Sequence, residues 1–141
     1  MKTIEQKVAN LLTTNAQVIH DLALDCLSVT LNGFIPLKQL EAVCQHEFAM
    51  IQALGLKKCL VDLRGVKVYA PGSQDLIKDV WFPRVKEEGV QYIAFVVPED
   101  VFGQASMNKA HAKSQQAGAL QVEHFRTVAD AKAWLLQMAV R

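Results

Sequence analysis

The sequence is poor in anything that would build a covalent or metal framework. Its 141 residues include three cysteines, Cys26, Cys44 and Cys59, an odd number with no Cys-x-x-Cys spacing. Each lies inside an apolar segment, so all three are expected to be reduced packing residues rather than disulfide partners or nucleophiles. The four histidines, His20, His46, His111 and His124, fall on separate segments without metal-ligand spacing, and no metal site is expected. Neither sign of charge is in excess: 15 Lys and Arg stand against 14 Asp and Glu, for a net charge of +1. With no basic run and no RNA-binding aromatic motif, that balance gives no ground for nucleic-acid binding. No apolar run approaches the roughly twenty residues needed to span a bilayer. The opening Met1–Lys7 carries charge where a signal peptide needs its apolar stretch, so a cytoplasmic location is expected. Nucleotide loops of GxxxxGK or GxGxxG type, the GxSxG elbow and HExxH are also missing. No catalytic residue and no cofactor is assigned on these grounds.

What is present reads as one soluble α/β domain. An apolar fraction of 51% and a charged fraction of 21% suit a chain that buries a proper core. Residues 1–14 form an arm in which Ile4, Val8, Leu11 and Leu12 make a weak helical stripe. Residues 15–141 form the domain. Gln17–His20 and Cys26–Asn32 read as strands, the second alternating Leu27, Val29 and Leu31 with Ser28, Thr30 and Asn32. Strict alternation marks a half-exposed strand, and Asp21–Asp25 would close a hairpin. Pro36 suits a first helical turn, and Leu37, Leu40, Cys44, Phe48, Ile51 and Leu54 then follow steps of three and four. Gly55 falls where a left-handed carboxyl cap belongs.

Cys59–Leu63 and Gln91–Val97 are short, continuously apolar runs, as expected of paired strands buried on both faces at the centre of a sheet. Between them, Ser73 reads as the N-cap of a helix whose apolar face is Leu76, Ile77, Val80 and Trp81, and Pro83 should break or kink it. A polar, weakly amphipathic helix over 102–118 and an edge strand over Leu120–Phe125 follow. Thr127 with Asp130 resembles a capping box for the final helix. The order is ββαβαβαβα, a mixed, mostly parallel sheet with helices.

Candidate site residues gather near the carboxyl ends of the central strands, where ligands of open α/β sheets usually bind. Asp62 and Arg64, two apart on a strand, point to the same side. They read either as part of a ligand pocket with Arg84 and Glu99 or as an ion pair that anchors a loop. Trp81 reads as a cleft wall, a partner surface or core. Arg84 reads as a forked anion ligand or a strand-end cap.

This order, together with Leu60-Val61-Asp62-Leu63-Arg64, Trp81-Phe82-Pro83-Arg84, Gly89, Ile93–Pro98-Glu99, Phe125 and Ala131-Lys132-Ala133-Trp134-Leu135, resembles the STAS superfamily. That is the fold of bacterial anti-sigma-factor antagonists and of sulfate-transporter regulatory domains. The resemblance covers about residues 15–137 and is nearest to a branch of small bacterial STAS-like proteins. It implies a non-enzymatic regulatory or binding module for a protein partner or a small apolar or anionic ligand. A small hydrolase or transferase using Asp62, Glu99 or a histidine is the alternative, and a homodimer through the arm is a further possibility. Anti-sigma-factor antagonists carry an Asp-Ser-Ser-Gly-like turn whose serine is phosphorylated. Here the turn is Ala70-Pro71-Gly72-Ser73, which lacks the acid and places Ser73 about one position late, so Ser73 is only a weak phosphorylation candidate beside its reading as an N-cap.

Overall fold

A strand covered on both faces has no use for polar alternation, and the two runs of that kind sit inside the sheet. The computed structural model describes residues 9–111 and 120–141. Among them, six strands form one sheet in the order β1-β2-β3-β4-β5-β6. The strands are β1 (Leu11–Leu12), β2 (Ala16–Asp21), β3 (Cys26–Gly33), β4 (Lys58–Val66), β5 (Tyr92–Val96) and β6 (Gln121–Phe125). β1 and β3 flank β2 antiparallel, while β3–β4, β4–β5 and β5–β6 pair in parallel, so three of five pairings are parallel. The expected hairpin is present, with Val18 opposite Val29 and Asp21 opposite Cys26. The expected helical stripe at Leu11 and Leu12 is not: the pair adds a short strand beside Val18 and Gln17. Ile4 and Val8 lie outside the described residues.

The parallel strands follow one another across the sheet without reversal. Because strand–crossover–strand connections are right-handed, each crossover helix must then lie on the same face. Those helical segments are α1 (Leu37–Leu54), the stretch α2 (Ser73–Leu76), Ile77–Trp81 and α3 (Phe82–Glu87), and α4 (Val101–His111). Leu40, Phe48, Trp81, Val85 and Met107 pack there against Val29, Cys59, Val61, Leu63, Ile93 and Phe95 in the larger core. The opposite face is thinner. There, among the described residues, α5 (Val128–Gln137) is the helix that covers Cys26, Leu60, Ala94 and Val96, through Ala131 and Leu135.

Local chemistry sets most boundaries. Gly55 adopts φ 65° and ψ 36°, donating its N–H to the Ile51 carbonyl at 2.8 Å, a left-handed cap that favours glycine. Thr127 accepts the Asp130 N–H at 3.1 Å and caps α5. Two expectations in the middle helix fail. Ser73 lies inside the first turn, behind Gly72, and its side chain makes no cap. Val80 is 43% exposed rather than on the buried face. The reason is a π-helical turn at Ile77–Trp81, closed by the Phe82 N–H on the Ile77 carbonyl. An extra residue in the turn shifts the helical phase. It also delivers Pro83, which has no N–H to give and crowds the preceding turn, into a widened one without breaking the helix.

The amino end of α4 presses onto the loop after β4. A Cβ on Gly103 would collide with the Val66 carbonyl oxygen and lie 2.9 Å from Pro98 Cβ and 3.1 Å from the Lys67 carbonyl oxygen. Two backbone carbonyls and a rigid proline ring leave little room to yield. Gly103→Ala should therefore cost about 1–3 kcal/mol of unfolding free energy, measured by urea denaturation, while exposed Asn108→Ala should stay within about 0.5 kcal/mol of wild type. Equal stability of the two variants would remove this close approach from the account of the fold.

Candidate functional site

Successive side chains of a strand project to opposite faces. In β4, Val61 and Leu63 face the helical layer and line a cavity there with Trp81. Asp62 and Arg64 therefore project to the other side. The expected juxtaposition of Asp62 and Arg64 with Trp81 and Arg84 does not form, because the sheet itself lies between the pairs.

On their side, Asp62 and Arg64 form a forked ion pair, with Nε to Oδ1 at 2.9 Å and Nη2 to Oδ2 at 2.8 Å. The Arg64 backbone N–H adds a third bond to Oδ1 at 3.1 Å. Hydrogen bonding to Asp62 and its charge hold the guanidinium more firmly protonated, with a smaller pull from Glu99. Glu99 is exposed, and its backbone N–H binds the Arg64 carbonyl at 3.1 Å. These three residues form one surface cluster that ties the loop after β5 to β4. Arg84 is elsewhere: its Nε binds Glu88 at 2.9 Å and its guanidinium lies 4.8 Å from the Phe48 ring centroid, fastening α3 to α1.

Strand order gives the parallel part of the sheet no switch point at its carboxyl edge. Ligand crevices in open α/β sheets form where strand order reverses and neighbouring crossovers diverge. Here β3-β4-β5-β6 never reverses. Among the described residues, a cavity of about 30 Å³ open to the centre of a water-sized sphere lies under the helical layer. That is room for about two waters. Val29, Leu31, Leu40, Val61, Leu63, Ile77 and Phe95 give it an apolar wall, and Glu47, Tyr69, Trp81 and His111 bring polar atoms to it.

Glu47 is the residue that sequence reasoning missed. It lies on the apolar stripe of α1, seven residues after Leu40 and four before Ile51, and is 3% exposed. An acid in phase with a buried stripe was the signal available. Its Oε1 accepts the Trp81 indole N–H at 2.8 Å. Burial raises the Glu47 pKa to about 8, against the opposing effect of that bond. Trp81 is thus core, at 5% exposure, and also the partner of the buried acid.

His111 and His124 meet across 2.9 Å, Nδ1 to Nε2, one nitrogen donating and the other accepting. Both rings lie against Phe95, with centroids at 4.2 and 5.2 Å. Burial, and then the neighbouring His124, lowers the His111 pKa to about 3, and burial lowers that of His124. Their separation in sequence hid the contact. The three cysteines are free and buried, and burial pushes the Cys26 thiol up to about 12, with Cys44 and Cys59 also raised. Buried thiols held protonated are poor nucleophiles. Among the described residues no cluster of three metal-binding side chains forms, and no helix is long and apolar enough to cross a membrane.

Ser73 is fully buried, and its hydroxyl has no hydrogen-bond partner among the described residues. It borders a second cavity of about 20 Å³ that shares Leu31, Leu40, Tyr69 and Ile77 with the first. Phosphorylation at Ser73 would require this turn to open.

Compared with known proteins, the chain matches no family model and no curated protein.

Two measurements follow from these contacts. A serine that capped its helix would cost about 0.5–2 kcal/mol on replacement by alanine; an unpaired buried hydroxyl costs nothing to remove, so Ser73→Ala should leave thermal stability equal or higher. The second concerns pH. Folded Glu47 keeps a proton that the unfolded chain releases above about 4.5, so its contribution to stability falls as pH rises to about 8. Glu47→Gln still accepts from Trp81 but cannot ionise. In urea titrations across that window, the variant should gain on wild type by up to about 1.4 kcal/mol per pH unit. A difference independent of pH would place an ionised carboxylate at Glu47.

Proposed function

We propose that this protein is a non-enzymatic, STAS-like binding module whose input is a small, mostly apolar ligand held beneath the helical layer. The observation that carries the reading is the Glu47–Trp81 hydrogen bond at the wall of a mostly apolar cavity. An apolar enclosure with few polar groups, one of strongly shifted pKa, is the usual form of a ligand site. The π turn in the same wall is a further support, since such turns recur at binding sites. The STAS-like part rests on the residues quoted above and on the α/β sheet with its leading hairpin. It remains an analogy of fold, which does not carry function by itself.

The competing hydrolase reading loses support from the same geometry. Asp62 spends its carboxylate on three donors of Arg64, and Glu99 is exposed. A general acid and base need to converge on one enclosed point. Ligand entry would part α1 from the Ile77–Trp81 turn, and that movement is how occupancy would reach a partner.

Native mass spectrometry of the chain taken from its source cell should show a retained small molecule. Leu31→Phe, which fills the wall common to both cavities, should abolish retention, while Asp62→Asn and Arg64→Ala keep it. Absence of any retained mass, with no response of cavity residues to a fragment library by NMR, would sink the proposal.

A further inference from the structure

We infer that the head group this cavity accepts is an uncharged hydrogen-bond acceptor, a carbonyl oxygen on a small apolar body, with the Glu47 carboxyl as the donor. The inference rests on the binding reading above and gives its ligand a chemical class.

The geometry around Glu47 leads to it. The carboxyl has two oxygens, and the indole of Trp81 occupies Oε1 as a donor at 2.8 Å. No other hydrogen bond and no ion pair reaches this carboxyl among the described residues. The ionisable groups that face it bring no positive charge. On α1 itself is Cys44, whose thiol also feels exposed Glu41 a turn earlier; β4 contributes Cys59. Tyr69, from the loop after β4, and His111, from α4, line the same cavity. Both thiols stay protonated, His111 is held neutral, and Glu41 adds only negative charge. The nearest arginine on α3, Arg84, is turned to Glu88 and Phe48.

A carboxyl buried without a counter-charge keeps its proton. With Oε1 committed as an acceptor, the O–H is left to donate from the other oxygen. A buried donor calls for an acceptor. A carboxylate or phosphate head would enter with no cation to meet it, and an ammonium would have to ionise Glu47 and bury the resulting pair away from water. A hydrocarbon would leave the O–H unpaired. A ketone, ester or amide carbonyl satisfies the donor and brings no charge into the enclosure, and the cavity of about 30 Å³ must widen, by parting α1 from the Ile77–Trp81 turn, to admit even a small ring or short chain.

The test uses the full chain, labelled with nitrogen-15 and carrying Trp134→Phe, so that Trp81 gives the single indole N–H signal. Cyclopentanone, cyclopentane, cyclopentylammonium and cyclopentanecarboxylate are titrated at about pH 6 and about pH 9.5, on either side of the Glu47 ionisation near 8. At the lower pH the ketone should shift the Trp81 signal and bind about tenfold or more tightly than its three twins. At the higher pH the ketone should lose about tenfold or more, because an ionised Glu47 repels the carbonyl oxygen. Glu47→Gln, whose amide N–H₂ still donates, should hold the ketone equally at both pH values. Cyclopentane binding as well as the ketone, a charged twin binding best, or wild-type affinity that ignores pH would each overturn the acceptor-head inference while leaving the cavity a ligand site. If none of the four probes binds either wild type or Glu47→Gln, both the inference and the binding proposal fall.

Discussion

Strand order governs this molecule. Four parallel strands laid down in sequence, each linked by a right-handed crossover, force three helical segments onto one face of the sheet and leave the other, among the described residues, to α5. The consequences run through the whole structure. One face becomes thick enough to enclose space and to bury polar atoms away from water. The other stays thin and carries the surface cluster of Asp62, Arg64 and Glu99. Since the order never reverses, the sheet has no switch point at its carboxyl edge, and the polar site of Glu47 and Trp81 lies beneath the helices.

Within the thick layer, the contact between Trp81 and Glu47 is the polar feature that the packing must accommodate. An acid at 3% exposure is unfavourable when ionised, and a single indole donor does not compensate for lost water. The chain meets this by keeping the proton. His111, which lines the same cavity, is the mirror case: a base kept neutral by burial, tilted against Phe95 and bonded to His124. The two titrations act on stability with opposite signs. Glu47 weakens the fold as pH rises from about 4.5 to about 8, whereas His111 weakens it as pH falls from 6.5 to about 3. In the folded protein both groups are uncharged between about pH 3 and about pH 8, and over that range the cavity they share is electrically quiet.

Much of the fold was legible along the chain. The hairpin, α1 with its Gly55 cap, the central pair β4–β5, the edge strand β6 and the capped α5 all follow from periodicity and cap chemistry, which act over a few residues. The π turn was not legible, and with it went the burial of Val80, because a change of helical phase has no compositional mark; Ser73 was misplaced separately, since the helix begins one residue earlier, with Gly72 at its N-cap. Leu11 and Leu12 were misread as helical because a two-residue strand has no periodicity and depends wholly on its partner β2. The part of the expected helix beyond His111 lies outside the described residues.

The candidate site divides in the same way. Sequence alone determined that Asp62 and Arg64 share a side of β4, since alternation along a strand is a local rule. It also carried an acid in the apolar stripe of α1, visible in the spacing of Leu40, Glu47 and Ile51. Only the tertiary structure decided that Trp81 belongs to Glu47, that Arg84 belongs to Glu88 and Phe48, and that a sheet stands between them and Asp62. Which face a strand offers to which helix depends on crossover handedness and strand order together. Those are properties of the assembled sheet, and no window of residues contains them.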